Sequence, residues 1–323
     1  MRVLVTGAAG FVGYAVAALL VDCGYEVMGL TRSGTSALPH GVARLEGDLR
    51  TPETLPRALA EVDGVCHLAG LTKVRQSRSS PVDYWRTNVG GTLALLDALA
   101  SARGGRLVLA STCAVYGEQA AQPISEMAAV APSSPYGTSK LAADQAAADL
   151  AATGAIGAIS LRAFNVAGAL PGHPDRDTSR LIPQLLAVQQ GRAPELVING
   201  DGSAVRDFVH VADMATAFLL ALHACEPGRW RVYNVGSGHP STVHGVITAA
   251  EAVTGRPVTR RHTAAAHEPA TLWADSTRIH SELGWRAEKS RLPEIISDAW
   301  AALNCPPNIR FRNSTEPTAL HLP

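Results

Sequence analysis

The chain has 323 residues, enough for one large or two medium domains with a sizeable core. Its 28 Lys and Arg balance its 28 Asp and Glu, which argues against a nucleic-acid or anionic-membrane surface. The five cysteines form no Cys-x-x-Cys pair, which is typical of reduced thiols, and no zinc-type Cys/His cluster is present. No apolar run is long enough to span a membrane, and the first strand leaves no room for a signal peptide. We therefore expect a cytoplasmic protein without a metal centre.

The N-terminus has the strand, turn and helix order of a dinucleotide-binding fold. Arg2–Thr6 is a β-branched and apolar run, and Tyr14–Cys23 has the composition of an apolar helix. The glycines between them permit a tight turn, a close approach of the backbone to a pyrophosphate, and close helix packing. We therefore predict that a dinucleotide contacts the residues of this turn, which are Gly7, Gly10, Phe11, Val12 and Gly13.

The second predicted strand, Glu26–Leu30, is followed by Thr31-Arg32-Ser33. An acidic residue at this point holds the ribose 2′-hydroxyl of NAD, whereas an arginine accommodates a 2′-phosphate. Arg32 therefore favours NADP over NAD, although a solvated loop arginine is the alternative interpretation.

Further strands and helices alternate along the first half of the chain, which predicts a doubly wound parallel sheet with helices on both faces. The predicted strands are Ala43–Glu46, Gly64–Leu68, Arg106–Ala110 and Ala158–Arg162, and the predicted helices are Pro52–Ala60, Tyr84–Ala102 and Tyr136–Ala152. Ligands of such sheets bind at the carboxyl ends of the strands. The candidate cofactor residues there are Asp48, Leu49, Leu68, Ala69 and Gly70, although Asp48 could simply start a turn.

A tyrosine and a lysine stand four residues apart in the stretch Ser134–Leu141. Ser134 and Pro135 are suited to the N-cap and the first turn of a helix, on which Tyr136 and Lys140 share one face. An ammonium beside a phenol favours the phenolate, which can act as a base. An ordinary surface pair is the alternative that the stretch alone leaves open.

The second half of the chain does not continue the regular alternation of predicted strands and helices. Residues 169–180 are rich in Gly, Pro, His, Asp and Arg, which predicts a loop over a site. We expect a dinucleotide-binding domain at residues 1–165, joined by parts of 206–239, and a substrate-binding domain at 166–303. Residues 304–323 are polar and lack periodicity, so we expect a loosely ordered tail.

The motifs together resemble the extended short-chain dehydrogenases/reductases, within them the nucleotide-sugar epimerases and dehydratases, over residues 1 to 303. The matching stretches are Thr6–Gly13, His67–Gly70, Asn88–Val89 with Gly91–Thr92, Ser111–Gly117, Tyr136–Lys140, Arg162–Asn165, Val205–His210, Tyr233–Gly236 and Trp273–Asp275. The resemblance implies a Rossmann-type α/β domain and a smaller C-terminal α/β domain that binds the substrate.

The resemblance also implies roles for individual residues. Tyr136 would be the general base and acid, and Lys140 would lower its pKa and hold the nicotinamide ribose. Thr112 would hydrogen-bond the reacting sugar hydroxyl, so that both Thr112 and Tyr136 reach the substrate. The remaining contacts implied are Asn88 with the cofactor, and Asn165, Leu181 and Arg206 with the nucleotide sugar. An internal ion pair of Arg206 with Asp207 is the structural alternative.

Three departures from the family pattern change what is expected. Cys113-Ala114 stands where 4,6-dehydratases carry an Asp-Glu pair, which argues against 4,6-dehydration. Arg32 replaces the usual acidic residue and so favours a reductase that consumes NADPH. The arginine that meets the diphosphate in the family falls on Ala265, and the Gly-Asp of the family falls on His267-Glu268. Arg260 or Arg261 could substitute from a shifted loop.

The leading hypothesis is an NAD(P)-dependent nucleotide-sugar epimerase that inverts C4 through a transient 4-keto sugar. The alternative is an NADPH-dependent keto-sugar reductase with the same Thr112, Tyr136 and Lys140. A non-catalytic dinucleotide sensor is a third possibility, but it would be marked by loss of the tyrosine or lysine. By analogy with the family we also expect a homodimer, paired through helices such as Tyr84–Ala102 and Tyr136–Ala152.

Overall fold

The computed structural model describes residues 1–51, 55, 59–60, 62–102, 105–265 and 268–304. Its strands are β1 (Arg2–Thr6), β2 (Glu26–Thr31), β3 (Ala43–Glu46), β4 (Gly64–His67), β5 (Gly105–Thr112), β6 (Ile156–Ala163), β7 (Asn165–Ala167), β8 (Ala169–Leu170), β9 (His173–Pro174), β10 (Leu196–Asn199), β11 (Val205–Arg206), β12 (Phe208–His210), β13 (Trp230–Val235), β14 (Ser241–Thr242), β15 (Arg260–Thr263) and β16 (Thr271–Leu272).

Its helices are α1 (Phe11–Asp22), α2 (Val74–Ser79), α3 (Pro81–Tyr84), α4 (Gly91–Ala102), α5 (Pro135–Ala152), α6 (Leu181–Gln189), α7 (Val211–Ala224), α8 (Val243–Thr254), α9 (Thr277–Leu283) and α10 (Leu292–Asn304). A π-helical turn, Trp85–Gly90, joins α3 to α4, so the predicted helix 84–102 contains one wider turn. The predicted helix 52–60 lies largely outside the described residues.

A seven-stranded parallel sheet carries the N-terminal half, in the order β13-β6-β5-β4-β1-β2-β3. Because side chains alternate across a strand, Val3 and Val5 of β1 pack on one face with α1 and α7. Leu4 points to the opposite face, where it packs with α4 and α5. Both faces are therefore covered by helices, and the predicted doubly wound fold is confirmed.

The C-terminal half has its own smaller core, formed by apolar side chains of α6, α8, α10 and β10. Short sheets, β10 with β15 and β14-β11-β16, flank this core. Strand β13, within residues 206–239, lies in the main sheet beside β6. The division at residue 165 stays a prediction, and Asn304, which we assigned to the tail, is the last residue of α10. Residues 305–323 lie outside the described residues.

None of the helices in the described part of the chain is long and apolar enough to cross a membrane.

Candidate active site

A cleft of about 1550 Å³ opens at the carboxyl ends of the central strands. Of the residues predicted from the sequence to form a site, all but Asn88 line it. They are Gly7, Gly10, Phe11, Val12, Gly13, Arg32, Asp48, Leu49, Leu68, Ala69, Gly70, Thr112, Tyr136, Lys140, Asn165, Leu181 and Arg206. Residues from both halves of the sequence thus meet at one place.

The turn between β1 and α1 leaves no space for side chains at its glycines. Gly7 has φ +70°, and a Cβ on Gly13 would lie 2.1 Å from the Gly7 carbonyl oxygen. The Gly10 N–H donates to that same oxygen at 2.9 Å, and no side chain caps α1. The N–H groups at the start of α1 therefore face the cleft with the positive end of the helix dipole. This cradle fits the pyrophosphate of a dinucleotide.

Two arginines, Arg32 and Arg50, line the far end of this part of the cleft, and a third, Arg44, lies on the neighbouring strand β3. Arg32 is exposed and forms no hydrogen bond or ion pair with another residue in the described ranges. Arg50 binds Asp48 at 2.6 Å, and its hydrogen bonds lower the pKa of Asp48 to about 2. Arg44 donates to the Thr31 hydroxyl at 3.2 Å and so anchors the end of β2.

Asn88, which we predicted to contact the cofactor, is buried and does not line the cleft, so that contact stays a prediction. Asn88 is buried in the π-helical turn, and its side-chain oxygen accepts from the Leu71 N–H at 2.7 Å. Its amide donates to the Leu71 carbonyl and the Ser139 hydroxyl, both at 3.0 Å. Because these bonds occupy the amide, Asn88 positions the loop after β4 against α5.

Tyr136 and Thr112 meet at the end of β5. Tyr136 occupies the first turn of α5. The N-cap of this helix is Ser134, as the sequence predicted, and the Ser134 hydroxyl accepts from the Gly137 N–H at 3.2 Å. Burial raises the pKa of Tyr136 to about 12, while a hydrogen bond with Thr112 and the charge of Arg180 act to lower it. Sequence reasoning missed Arg180, which stands directly before the predicted Leu181.

Lys140 lies one turn further along the same face of α5. Its ammonium donates to the Ala110 carbonyl at 2.8 Å, and a Cβ on Gly70 would be 3.5 Å from it. Burial lowers the pKa of Lys140 to about 8, against the opposing charge of Asp144. The Lys140 ammonium thus lies between the end of β5 and the loop after β4, one helical turn from Tyr136.

The substrate side of the cleft contains Asn165, Leu181 and Arg206. The Asn165 amide donates to the Asp207 carbonyl at 3.0 Å. The alternative ion pair of Arg206 with Asp207 is wrong, because the buried Asp207 carboxylate accepts from Ser237, Gly238 and Ala274. Arg206 pairs instead with Glu268, at 3.6 Å.

The predicted loop at 169–180 includes the short antiparallel pair of β8 and β9. Its Asp177 forms an ion pair with Lys73 across the cleft at 3.3 Å, and Arg180 binds Asp175 at 2.9 Å. The sequence signalled this loop by its composition but not these pairings. Arg260 and Arg261, the two candidate substitutes for the missing arginine, lie on β15 and do not line the cleft. His267 lies outside the described residues.

The chemistry at positions 113 and 114 agrees with the argument against dehydration. Burial raises the pKa of the Cys113 thiol to about 12, so it stays neutral, and Ala114 carries no ionisable group. The described residues also contain no group of three or more His, Cys, Asp or Glu side chains arranged to hold a metal ion.

Comparison with known proteins gives a consistent picture. Residues 3–236 match the model of the NAD dependent epimerase/dehydratase family. The UDP-glucose 4-epimerase of Streptomyces lividans is 39% identical, with 93% of this chain and 95% of that protein covered. A structure of UDP-glucose-4-epimerase from Stenotrophomonas maltophila with NAD and formylated UDP-arabinopyranose matches with TM-score 0.87 at 32% identity, covering 94% and 98% of the two chains. The enzyme of Bifidobacterium longum with NAD+ and UDP matches with TM-score 0.86 at 30% identity, covering 94% and 99%. The chain therefore belongs to the NAD-dependent epimerase/dehydratase family.

Proposed function

We propose that this chain is an NAD-dependent epimerase that inverts C4 of a UDP-hexose, interconverting UDP-glucose and UDP-galactose. The observation that carries the proposal is that Thr112, Tyr136 and Lys140 line the same cleft as the glycine turn, with Tyr136 and Lys140 one turn apart on α5. The bound ligands of the related structures support NAD as the cofactor and a UDP-sugar as the substrate.

The proposed mechanism assigns proton transfer to the phenolic oxygen of Tyr136. Thr112 hydrogen-bonds the 4-hydroxyl of the sugar and aligns it, while Tyr136 as phenolate removes the hydroxyl proton. NAD, held by the glycine turn and Lys140, would supply reversible hydride transfer at C4, to and from either face of the ring. The 4-keto sugar turns within the cleft between these two events. Tyr136 then returns its proton to the new C4 oxygen, so there is no net oxidation or reduction.

Lys140 supports this chemistry through its charge and its position. With a pKa of about 8 it is mostly protonated at neutral pH. In the proposal its ammonium binds the hydroxyls of the nicotinamide ribose and favours the phenolate of Tyr136. Because burial raises the pKa of Tyr136 in the protein alone, the phenolate depends on positive charge brought close to it when the site is filled.

The test compares epimerisation with reduction. Purified protein is incubated with UDP-galactose and a catalytic amount of NAD, and the nucleotide sugars are separated by chromatography. Formation of UDP-glucose without consumption of NAD supports the epimerase. A protein that acts only on a keto sugar and consumes one NADPH per turnover would instead be the reductase, and the proposal would be wrong.

A second proposal concerns the cofactor. We propose that Arg32 admits the 2′-phosphate, so that the protein accepts NADP as well as NAD. The exposed and unpaired guanidinium of Arg32 lines the cleft, and its charge contributes to the low pKa of Asp48, which supports a positive field there. Arg44 holds the loop after β2 in place beside it.

We also propose that the protein is a cytoplasmic homodimer. Val82, Trp85 and Leu93, in the helical segment 81–102, expose 62%, 42% and 50% of their surface. Such a stripe of large apolar side chains is suited to pairing with a second copy. Sedimentation of the protein and of Trp85→Glu tests the dimer, which this substitution should dissociate. The unpaired thiols at Cys23, Cys66, Cys113 and Cys225 support a reducing compartment.

A further inference from the structure

One carboxylate lies between two arginines from distant parts of the sequence, at the substrate side of the cleft. Oε1 of Glu268 accepts from Nη2 of Arg75 at 3.0 Å and from Nε at 3.2 Å. Its other oxygen, Oε2, lies 3.6 Å from Nη2 of Arg206. Arg75 belongs to α2 and Arg206 to β11, and all three residues line the cleft. We call this group the Glu268 bridge.

The two arginines differ in how strongly they need an anion. The Arg206 side chain is only 15% exposed, and burial lowers its pKa while Glu268 opposes that effect. Its Nη1 is held by the carbonyls of Val205 at 2.8 Å and Ala270 at 3.3 Å, so Nη2 is the group that meets Glu268. A buried guanidinium without a counter-charge is costly, which makes this side of the cleft selective for anions.

The arginine at the other end of the bridge can exchange its partner easily. Arg75 is 66% exposed and Glu268 is 38% exposed, so water competes for their ion pair. Exposed ion pairs contribute little to stability. The pair can therefore open at small cost when a stronger anion enters.

The charges of the bridge do not balance. Two guanidinium groups carry two positive charges, whereas Glu268 supplies one negative charge. The diphosphate of a nucleotide sugar is a diester with about two negative charges, and guanidinium groups bind phosphate oxygens in a bidentate manner. A diphosphate would thus neutralise both arginines, which the carboxylate cannot do alone.

We propose that Arg75 and Arg206 together form the diphosphate subsite of the substrate, and that Glu268 occupies this subsite as an internal competitor in the protein without substrate. The proposal rests on the proposed nucleotide-sugar function and adds Arg75 as a binding residue and Glu268 as a residue that sets affinity. Arg75 also gives the chain a second cation for the diphosphate, although Ala265 stands where the family carries its arginine.

Calorimetric titration of the full-length protein with its cofactor tests the subsite, with UDP and uridine as probes. Arg75→Gln should weaken UDP binding about tenfold, because one charge-assisted contact is lost. Glu268→Gln should tighten UDP binding roughly threefold, because the competing charge is removed while the side chain keeps its shape. Uridine, which lacks phosphate, should bind all variants alike.

Arg261→Gln is the matched control. Arg261 is also an exposed arginine paired with a glutamate, Glu195 at 2.6 Å, and its loss changes the net charge by the same amount. It does not line the cleft, so UDP affinity should stay unchanged. A Glu268→Gln variant in the Arg75→Gln background should regain little affinity, because the anion site has already lost one of its two cations.

Two results would overturn the subsite alone. UDP affinity that is insensitive to Arg75→Gln would reduce the bridge to a surface ion pair, and weaker UDP binding by Glu268→Gln would make Glu268 a direct ligand of the nucleotide. A wild-type protein that binds no UDP would refute the proposed function and the subsite with it. Wild-type binding together with epimerase activity keeps the two proposals separable.

Discussion

Replacing Lys140 by methionine should stabilise the protein while it abolishes turnover. Burial lowers the pKa of Lys140 from 10.5 to about 8, which corresponds to about 3 kcal/mol of unfavourable free energy at neutral pH. Methionine has a similar length and no charge. Its cost is the lost hydrogen bond to the Ala110 carbonyl, about 1 kcal/mol. Asp144 keeps its ion pair with Arg162, so no unpaired charge is left behind.

The pH dependence gives this prediction a definite sign. Below pH 8 the lysine is charged in both the folded and the unfolded protein, so the penalty of about 3 kcal/mol is fully present. Between about pH 8 and 10.5 the folded protein releases its proton first, and the wild-type protein therefore becomes relatively more stable. The advantage of Lys140→Met should be about 2 kcal/mol at pH 7, should disappear near pH 10, and should become a small disadvantage above that, because the cost of the lost hydrogen bond remains.

The assay is urea unfolding of the cofactor-free protein, followed by tryptophan fluorescence at several pH values. Lys289→Met is the control, since Lys289 is exposed and its substitution should leave the unfolding midpoint nearly unchanged at every pH. A Lys140→Met protein that unfolds at lower urea than wild type at pH 7, or a difference that does not change with pH, would refute the reasoning.

Three further substitutions test the other parts of the site. Tyr136→Phe should lower kcat by about two to four orders of magnitude while bound NAD, measured after denaturation, stays near wild type; near-normal turnover would remove Tyr136 from proton transfer. Gly13→Ala should abolish NAD binding, because its Cβ would lie 2.1 Å from the Gly7 oxygen, and equilibrium dialysis that finds normal binding would contradict the cradle. Arg32→Asp should reduce NADP affinity at least tenfold and spare NAD, since it replaces attraction to the 2′-phosphate by repulsion. Equal losses for both cofactors would mean that Arg32 does not recognise the phosphate.

The features that the sequence predicted well are those in which neighbouring residues determine local structure. The glycines of the first turn, the alternation of strands and helices, and the Ser134-Pro135 start of α5 each depend on a few adjacent positions. The catalytic candidates could be found because Tyr136 and Lys140 lie one helical turn apart. Thr112 was a candidate because the stretch Ser111–Gly117 resembles a motif of the family.

The features that the sequence did not predict depend on contacts between distant residues. Arg75 and Glu268 are 193 positions apart, and no local pattern pairs them. The hydrogen bonds from the Asn88 amide to Leu71 and Ser139 depend on the π-helical turn, which no local pattern predicts. Arg206 and Asp207 are adjacent, yet alternate side chains of an extended segment point in opposite directions.

The arrangement of β6 and β13 has a consequence for how the protein is made. Seven of the eight residues of β6 are buried, and one edge of this strand is covered by β13, which follows only after the chain has built β7 to β12. During synthesis β6 can pair with β5, but its other edge stays unpaired until residue 235 has left the ribosome. An unpaired apolar edge promotes aggregation, so a gene fragment that ends near residue 165 should yield insoluble protein. The main sheet is therefore completed by the second half of the chain, so both halves form one unit of biosynthesis.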